Sequence, residues 1–158
     1  MQQNLQQKKG LVENVFNKVF NKYDLMNDLM SLGIHRIWKK ELIYMMNPSI
    51  GQNLVDVACG TGDIAKLFNE ATNNKSNIFC VDPNSKMLSE GRKKLKSLKN
   101  IKFIKGNAEK LFFPNNTFDF YTIVFGLRNT KNISKSISEA YRVLKKGGRF
   151  LCLEFSKV

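Results

Sequence analysis

From residue 53 onward, short apolar runs alternate with stretches in which apolar residues recur at helical spacing. The runs predict strands near 53–57, 77–81, 101–105, 119–125 and 149–155, and the helical spacing predicts helices near 63–72, 84–98 and 132–144. Gly147 and Gly148 are expected to end the last helix. The last of these helices places on one face Ile133, Ile137, Ala140, Tyr141 and Leu144. Such alternation predicts an α/β fold, a Rossmann-like, doubly wound parallel sheet with helices on both faces.

The first fifty residues follow a different pattern. Residues 11–23 place apolar side chains on one stripe, which predicts an amphipathic helix. We therefore expect two parts, an N-terminal helical arm over 1–50 and a Rossmann-like domain over 51–158. The arm has two interpretations, a cap over substrate or a cover for the sheet. Met26, Met30, Trp38 and Met46 would suit an apolar wall for a lipid-like substrate, although filling a core is their commoner use.

Charge and length restrict the partners. The net charge of +13 comes from 26 Lys and Arg against 13 Asp and Glu, and the lysines are spread along the chain. A solvated surface explains this, and so does peripheral attraction to an anionic membrane. Scattered lysines without interleaved aromatics argue against specific nucleic-acid recognition. No apolar run is long enough to span a bilayer, and the N-terminus resembles neither a secretion signal nor an organelle presequence. The expected location is the cytoplasm, peripherally at the inner membrane face, or the mitochondrial matrix of a eukaryote.

The cysteines support no metal site. Cys59, Cys80 and Cys152 lie on or beside predicted strands without C-x-x-C spacing, and the chain has one histidine. We expect reduced core residues and no zinc.

The stretch 54–65 carries the strongest chemical signal. A buried strand leads into a turn with Gly60 and Gly62, which opens a helix. Glycines allow a tight turn and close backbone approach, and the helix N-terminus offers N–H groups to a ligand. Asp82 ends the next predicted strand, where its carboxylate can accept hydrogen bonds from both hydroxyls of a ribose. The pair predicts a nucleotide cofactor, against the plainer alternative of an ordinary strand-to-helix connection.

Two cofactors compete for this turn, because Gly60-Thr61-Gly62-Asp63-Ile64-Ala65 also fits the G-x-G-x-x-A fingerprint of nicotinamide-dinucleotide enzymes. Asp56 favours S-adenosyl-L-methionine, since a carboxylate inside the first strand is well placed for the methionine ammonium, directly or through water. A dehydrogenase is further disfavoured because the chain lacks a recognisable Tyr-x-x-x-Lys pair.

The informative residues gather at one end of the predicted strands. They are 59–62, Asp82, 106–109, 124–129 and 154–156, all at or just beyond carboxyl ends. Open α/β sheets bind ligands at that edge, which strengthens the prediction of a cofactor site.

Across nearly its whole length the chain resembles the ubiquinone/menaquinone biosynthesis C-methyltransferase family, a class I S-adenosylmethionine-dependent group. The most specific blocks are the N-terminal one and Phe125-Gly126-Leu127-Arg128-Asn129. The residues that carry the resemblance are 15–16, 23–28, 30–39, 60–63, Asp82, 106–109, 125–129, 141–144 and 153–156.

The resemblance implies methyl transfer from S-adenosyl-L-methionine to a ring carbon of a polyprenylated hydroquinone. By position Thr61 would bind the methionine end of the cofactor, and Asn107 with Ala108 the adenine. Val124 stands where the family usually has Ser, so any cofactor contact there falls to backbone or apolar surface. Cys59 fills a position that is usually small.

A ring carbon is a weak nucleophile unless a neighbouring phenol loses its proton. Arg128 would stabilise that oxyanion or hold a water that takes the proton, and the alternative for it is a salt bridge or strand-end cap. His35 is the other candidate because its pKa lies nearest neutrality, although a lone histidine is more often a packing or capping residue. Asn129 would orient its neighbours.

Family members continue past the 154–156 segment into further helix and strands. The resemblance therefore implies a sheet that lacks its final strands, so that the fifth strand is an exposed apolar edge open to self-association. A truncated gene product, a fragment or half of a split protein would all give this sequence. A non-catalytic protein that binds cofactor or a partner is the alternative to an enzyme.

Overall fold

The computed structural model describes residues 34–155. The chain divides into two compact units, residues 1–41 and residues 42–158. The first helix, α1, spans Ile34–Met46. The amphipathic segment 11–23, Met26 and Met30 lie outside the described residues, and the domain boundary at residue 50 stays a prediction.

Strands and helices alternate through the second unit in the predicted order. The elements are β1 (Leu54–Val57), α2 (Asp63–Ala71), β2 (Ile78–Asp82), α3 (Ser85–Lys94), β3 (Ile101–Lys105), β4 (Phe118–Val124), the 3₁₀ turn Leu127–Asn129, α4 (Ile133–Val143) and β5 (Leu144–Leu153). Asn84 caps the start of α3 by accepting the N–H groups of Lys86 and Met87. The α3 helix ends at Lys94, four residues before the predicted end.

The five strands form one sheet in the order β3-β2-β1-β4-β5. Every neighbouring pair in it is parallel. The first strand, β1, thus lies in the middle of the sheet. The next two strands lie on one side of it, and the last two lie on the other. This confirms the α/β, Rossmann-like fold, and it places the carboxyl ends of β1, β2 and β4 side by side.

Each face of the sheet has its own core, as the period of two along a strand requires. Leu54 of β1 belongs to the core shared with the end of α1 and with α2, whereas Val55 belongs to the core shared with α4. On the first face the largest buried side chain is Phe68 of α2, and on the second it is Tyr121 of β4. Helices therefore cover both faces of the sheet. The carboxyl ends of the strands remain as the place where a ligand could bind.

The prediction that Gly147 and Gly148 end the last helix is wrong. The α4 helix ends at Val143, and β5 starts at the next residue. The two glycines lie inside β5, where the register with β4 shifts between Phe118 and Phe120. Gly147 has a φ of +81° there. The glycines thus form an irregularity in an edge strand, a use for which left-handed backbone is suited.

The apolar face that the sequence defines on α4 is largely not the face that packs on the sheet. Ile133, Ile137 and Tyr141 are exposed by 47%, 45% and 84%. The residues that face the sheet are Ser136, Ala140 and Val143. Small side chains at two of these positions let the helix lie close to the strands, so its larger apolar side chains form a stripe on the outside.

The two edge strands of the sheet differ in their protection. On β3, Lys102 and Lys105 are exposed, and charged side chains of this kind discourage pairing with another chain. On the second half of β5, Phe150 and Cys152 are exposed. Cys152 was predicted to be a core residue, and this is corrected by its place on an edge strand. Cys80 is buried as predicted.

Candidate cofactor-binding and catalytic site

Left-handed backbone follows the two central strands at their carboxyl ends. Ala58, directly after β1, and Phe125, directly after β4, both have a φ of +54°. The backbone of Gly126 passes so close to the first of these turns that a Cβ there would lie 2.4 Å from the Ala58 Cβ. Strained backbone of this kind persists where surrounding structure holds it, and it clusters at binding sites.

The glycine turn is fixed to the neighbouring strand. The Cys59 N–H donates to the Val81 carbonyl at 3.2 Å, and the Gly62 N–H returns to the Cys59 carbonyl at 3.0 Å. Gly60 and Gly62 have φ values of +56° and +86°. Gly62 is the N-cap of α2 and brings no side chain to cap it. The first turn of α2 therefore receives no hydrogen bond from an N-cap side chain, an arrangement compatible with a ligand at this helix N-terminus.

Asp82 joins the glycine turn to the end of β2. Its Oδ2 accepts the Gly60 N–H at 2.9 Å, and its Oδ1 accepts the Asn84 N–H at 2.8 Å. Burial raises the pKa of Asp82 above its ordinary value, and the two N–H donors offset part of that rise. Each carboxylate oxygen keeps a further lone pair, so the residue can orient the turn and still accept a ribose hydroxyl.

Asp56 lies in β1, the strand that leads into the glycine turn. It is 1% exposed, and its Oδ1 accepts the Thr122 hydroxyl at 2.8 Å. Its register partners are Cys80 on β2 and Thr122 on β4. The carboxylate therefore sits in the centre of the sheet beneath the turn, which suits contact with a ligand ammonium through water better than direct contact.

Thr61 has a basic neighbour that sequence reasoning did not identify. Lys94, in the last turn of α3, places its Nζ 3.4 Å from the Thr61 hydroxyl and 2.5 Å from Asp63 Oδ1. The two elements approach closely because α3 has Gly91 at the contact, where a Cβ would lie 3.1 Å from the Thr61 carbonyl oxygen. A cation beside the predicted methionine end of the site suits a ligand carboxylate.

The loop after β3 carries the residues predicted for adenine. Asn107 is exposed, and its side-chain oxygen accepts the N–H groups of Glu109 and Lys110 at 3.1 and 3.0 Å. Ala108 is buried in the core on the α4 face. The backbone of this loop and the Asn107 amide nitrogen are therefore the groups that remain for a base. Val124, the last residue of β4, is half-buried and packs toward the other core.

Arg128 and Asn129 lie together on the 3₁₀ turn after β4, and both are exposed. The Arg128 guanidinium pairs with Glu154 at 3.7 Å and lies 5.4 Å from the centre of the Phe155 ring. The salt bridge expected as the alternative for Arg128 is therefore present. The arginine side chain is still 46% exposed, so it can also meet a ligand at this edge.

Two other side chains were singled out from the sequence. His35 is buried in the first turn of α1, within the unit formed by residues 1–41, and its catalytic role stays a prediction. The hydrogen bond with Cys80, together with burial, raises the pKa of the Cys59 thiol well above its usual range. Cys59 is thus a neutral thiol in the turn, which makes it a poor nucleophile.

The structure brings most of the predicted cofactor residues to one edge. Gly60, Thr61, Gly62, Asp82 and the Asn107 loop lie at the ends of adjacent strands β1, β2 and β3. Sequence reasoning did not predict the contacts made at this edge by Gly91, Lys94, Gly126, Glu109 and Glu154. Gly126 belongs to a block that was recognised, but only its distance to Ala58 shows why glycine is needed there.

The sequence of this chain matches a known family from end to end. The model of the ubiE/COQ5 methyltransferase family covers residues 1–158. The chain belongs to this family.

Among its relatives is the ubiquinone/menaquinone biosynthesis C-methyltransferase UbiE of Rickettsia prowazekii (strain Madrid E), which is 53% identical over 157 residues. That alignment covers 96% of this chain and 63% of the Rickettsia protein, so the chain spans somewhat less than two thirds of its relative.

Solved structures share the fold. The YcgJ protein of Bacillus subtilis has a TM-score of 0.67 and 26% identity, and covers 73% of this chain and 50% of its own. An S-adenosylmethionine-dependent methyltransferase from Aquifex aeolicus has a TM-score of 0.62 and 23% identity, with 68% of this chain and 58% of its own covered. They share the Rossmann-like α/β fold of the described residues.

Residues 34–155 contain neither a membrane-spanning helix nor a cluster of metal ligands. None of the helices there is long and apolar enough to cross a membrane. No group of three or more His, Cys, Asp or Glu side chains in that range is arranged to hold a metal ion.

Proposed function

We propose that this chain binds S-adenosyl-L-methionine across the carboxyl ends of β1, β2 and β3. The observation that carries the proposal is the clamp between Asp82 and the Gly60 N–H at 2.9 Å, because it fixes a ribose-binding carboxylate against the glycine turn. In this arrangement Asp82 accepts the ribose hydroxyls, and the turn with Thr61 receives the methionine end. Asp56 meets the ammonium through water, and the Asn107–Ala108 backbone meets the adenine.

We propose further that the reaction is C-methylation of a polyprenylated hydroquinone, either a demethylmenaquinol or a polyprenyl benzoquinol. The family membership and the name of the Rickettsia relative support this substrate class. The bound sulfonium supplies an electrophilic methyl group, so the protein mainly has to align the ring carbon with it and exclude water. Arg128, near the end of β4, is the proposed partner of the oxygen that develops negative charge on the ring.

Two alternatives remain separable by experiment. A non-catalytic member of the family would bind cofactor without turnover. A nicotinamide-dependent dehydrogenase would bind a dinucleotide at the same turn. Neither alternative predicts transfer of a methyl group.

The test is transfer of a labelled methyl group from S-adenosyl-L-methionine to a short-chain hydroquinone by the purified chain. Label in the quinol that is lost in Arg128→Ala, with Lys66→Ala on the exposed surface of α2 as control, supports the proposal. Cofactor binding without any labelled quinol supports the non-catalytic alternative and contradicts methyl transfer by this chain.

The substrate class also suggests where the protein works. A polyprenylated quinol resides in a membrane, and we propose peripheral contact with anionic lipid at the cytoplasmic face, or in the mitochondrial matrix of a eukaryote. Exposed basic residues on the last turns of α3, on the loop after it and on β3 support this contact; they are Arg92, Lys93, Lys96, Lys99, Lys102 and Lys105. Salt-sensitive sedimentation with phosphatidylserine vesicles, and none with neutral vesicles, is the expected result.

A further inference from the structure

In the 3₁₀ turn that carries Arg128, spanning Leu127–Asn129, Leu127 is partly buried and packs against the core beside α4. Arg128 and Asn129 are both exposed. A single turn of 3₁₀ helix also has poor hydrogen-bond geometry. The position of the Arg128 side chain must therefore depend on groups outside the turn.

Glu154, just after β5, holds the turn at its start. Its Oε1 accepts the N–H of Leu127 at 2.8 Å and lies 3.4 Å from the N–H of Arg128. Its Oε2 is buried and forms no hydrogen bond within residues 34–155. The Arg128 guanidinium lies 3.7 Å from this oxygen, so one carboxylate contacts both the backbone and the side chain of the turn.

Glu109, in the loop after β3, holds the segment at its other end. Its Oε1 accepts the N–H of Lys131 at 2.6 Å and the N–H of Asn132 at 3.1 Å. The same residue donates its own N–H to the Asn107 side chain at 3.1 Å. A charged acceptor with two backbone donors is among the stronger hydrogen-bond arrangements. Glu109 thus connects the loop expected to meet adenine with the segment that follows Asn129.

The far end of that loop is tied down as well. The N–H of Leu111 donates to Glu139 on α4 at 2.8 Å, and Arg142 donates to the carbonyls of Leu111 and Phe113 at 2.9 and 2.7 Å. Glu139 and Arg142 pair with each other at 2.7 Å. The loop is therefore held in place beyond Glu109. We expect a shift in the position of Asn107 to reach the segment that carries Arg128 through Glu109.

We propose that Glu109 and Glu154 are positioning residues that hold the Arg128 turn from its two ends, and that Glu109 couples cofactor occupancy at the Asn107 loop to the order of that turn. The second part rests on the proposed cofactor site. By reciprocity, a ligand that orders the loop also favours the ordered turn, and an ordered turn favours the ligand. The arrangement prepares Arg128 for the acceptor ring only when the methyl donor is in place.

Amide hydrogen exchange measured by NMR on the full chain without ligand tests the positioning. In Glu109→Ala, exchange at Lys131 and Asn132 should speed up by about tenfold or more. In Glu154→Ala the same change should appear at Leu127 and Arg128. Glu109→Gln keeps an acceptor oxygen and should preserve most of the protection. Glu70→Ala, an exposed carboxylate on α2, is the control and should leave all four amides unchanged. Unchanged exchange at Lys131 and Asn132 in Glu109→Ala would overturn the role of Glu109.

Repeating the measurement with S-adenosylhomocysteine tests the coupling. Wild type and Glu109→Gln should gain protection at Gly60 and also at Lys131 and Asn132, whereas Glu109→Ala should gain it at Gly60 alone. If wild type gains protection at Gly60 but not at Lys131 and Asn132, the coupling is wrong while the cofactor site stands. If Gly60 does not respond either, the cofactor assignment fails and the coupling fails with it, and the ligand-free data still decide whether the two carboxylates hold the turn.

Discussion

The Asp82 carboxylate accepts the Gly60 N–H at 2.9 Å, which locks the end of β2 to the glycine turn after β1. The same carboxylate caps the Asn84 N–H at 2.8 Å. One side chain thus fixes the shape of the turn and presents acceptor oxygens beside it. This relationship is the physical basis for the proposed cofactor site.

Replacing Asp82 by Ala should weaken binding of S-adenosylhomocysteine by roughly 2–3 kcal/mol, or one to two decades in dissociation constant. The loss combines the ribose contacts with the loosened turn. Isothermal titration measures it, with Glu70→Ala as the carboxylate control. An Asp82→Ala protein that keeps its fold and its wild-type affinity would remove the ribose assignment.

As the pH is lowered, cofactor binding should weaken at a higher pH than it would with an aspartate of ordinary pKa. Burial raises the pKa of Asp82 in the folded protein, so its carboxylate takes up a proton at higher pH than in the unfolded chain. The contribution of Asp82 to the free energy of unfolding is therefore complete below the pKa that it has in the unfolded chain. This contribution is lost as the pH rises through the pKa that Asp82 has in the folded protein. Binding has the opposite dependence because it needs the ionised form.

Titrations with S-adenosylhomocysteine between about pH 7 and about pH 5 check this dependence. Affinity should fall with pH in the wild type, and the fall should be much smaller in Asp82→Asn, which has no proton to gain. Equal slopes for the two proteins would mean that another group controls the acid limb.

Arg128 should matter more to turnover than to cofactor affinity, because its proposed partner is charge that develops on the acceptor ring. Arg128→Lys keeps the charge and loses the planar fork, so it should still lower kcat. Steady-state methyl transfer and cofactor titration on the same protein separate the two effects. Loss of cofactor binding in a folded Arg128→Ala protein would show that the role is wrong.

A methyl group at position 126 should destabilise the two turns that follow β1 and β4. A Cβ there would lie 2.4 Å from the Ala58 Cβ, whereas at Gly106 the closest atom would be the end of the Val81 side chain at 3.0 Å. Gly126→Ala should lower the free energy of unfolding by about 1–3 kcal/mol, and Gly106→Ala should cost less. Urea unfolding compares them, and equal midpoints would contradict the close approach of the two turns.

The β5 edge should promote association of the isolated chain. Phe150 is 40% exposed on that strand, and α4 adds the exposed stripe of Ile133, Ile137 and Tyr141. An apolar edge with unprotected backbone is a template for another strand. Sedimentation velocity should show concentration-dependent association that Phe150→Lys reduces. Phe112→Lys, at an exposed aromatic elsewhere, should not reduce it, and a wild-type monomer at all concentrations would contradict the expectation.

Periodicity predicted most of the fold because each strand and helix carries its own local pattern. It gave the wrong face for α4, since Ser136 and Ala140 face the sheet and small residues add little to an apolar pattern. The sequence analysis also placed Gly147 at the end of a helix. A glycine pair occurs both where helices end and where strands are irregular, so the pair alone does not distinguish the two. Single-residue chemistry singled out Asp82 and the glycine turn, and the structure joins the two by a hydrogen bond.

The backbone conformations and long-range contacts that shape the candidate site most closely could not be predicted from the sequence. Ala58 and Phe125 adopt left-handed backbone without being glycine. Glu109 and Glu154 act on backbone N–H groups more than twenty residues away. Such contacts depend on which strand ends become neighbours, and that follows only from the sheet order.

The most direct test of the central claim is titration calorimetry of the purified chain with S-adenosylhomocysteine and, separately, with a nicotinamide dinucleotide. The predicted result is saturable binding of the first at one site per chain, lost or strongly weakened in Asp82→Ala, and no saturable heat with the second. Saturable binding of the dinucleotide without binding of S-adenosylhomocysteine would contradict the proposed site.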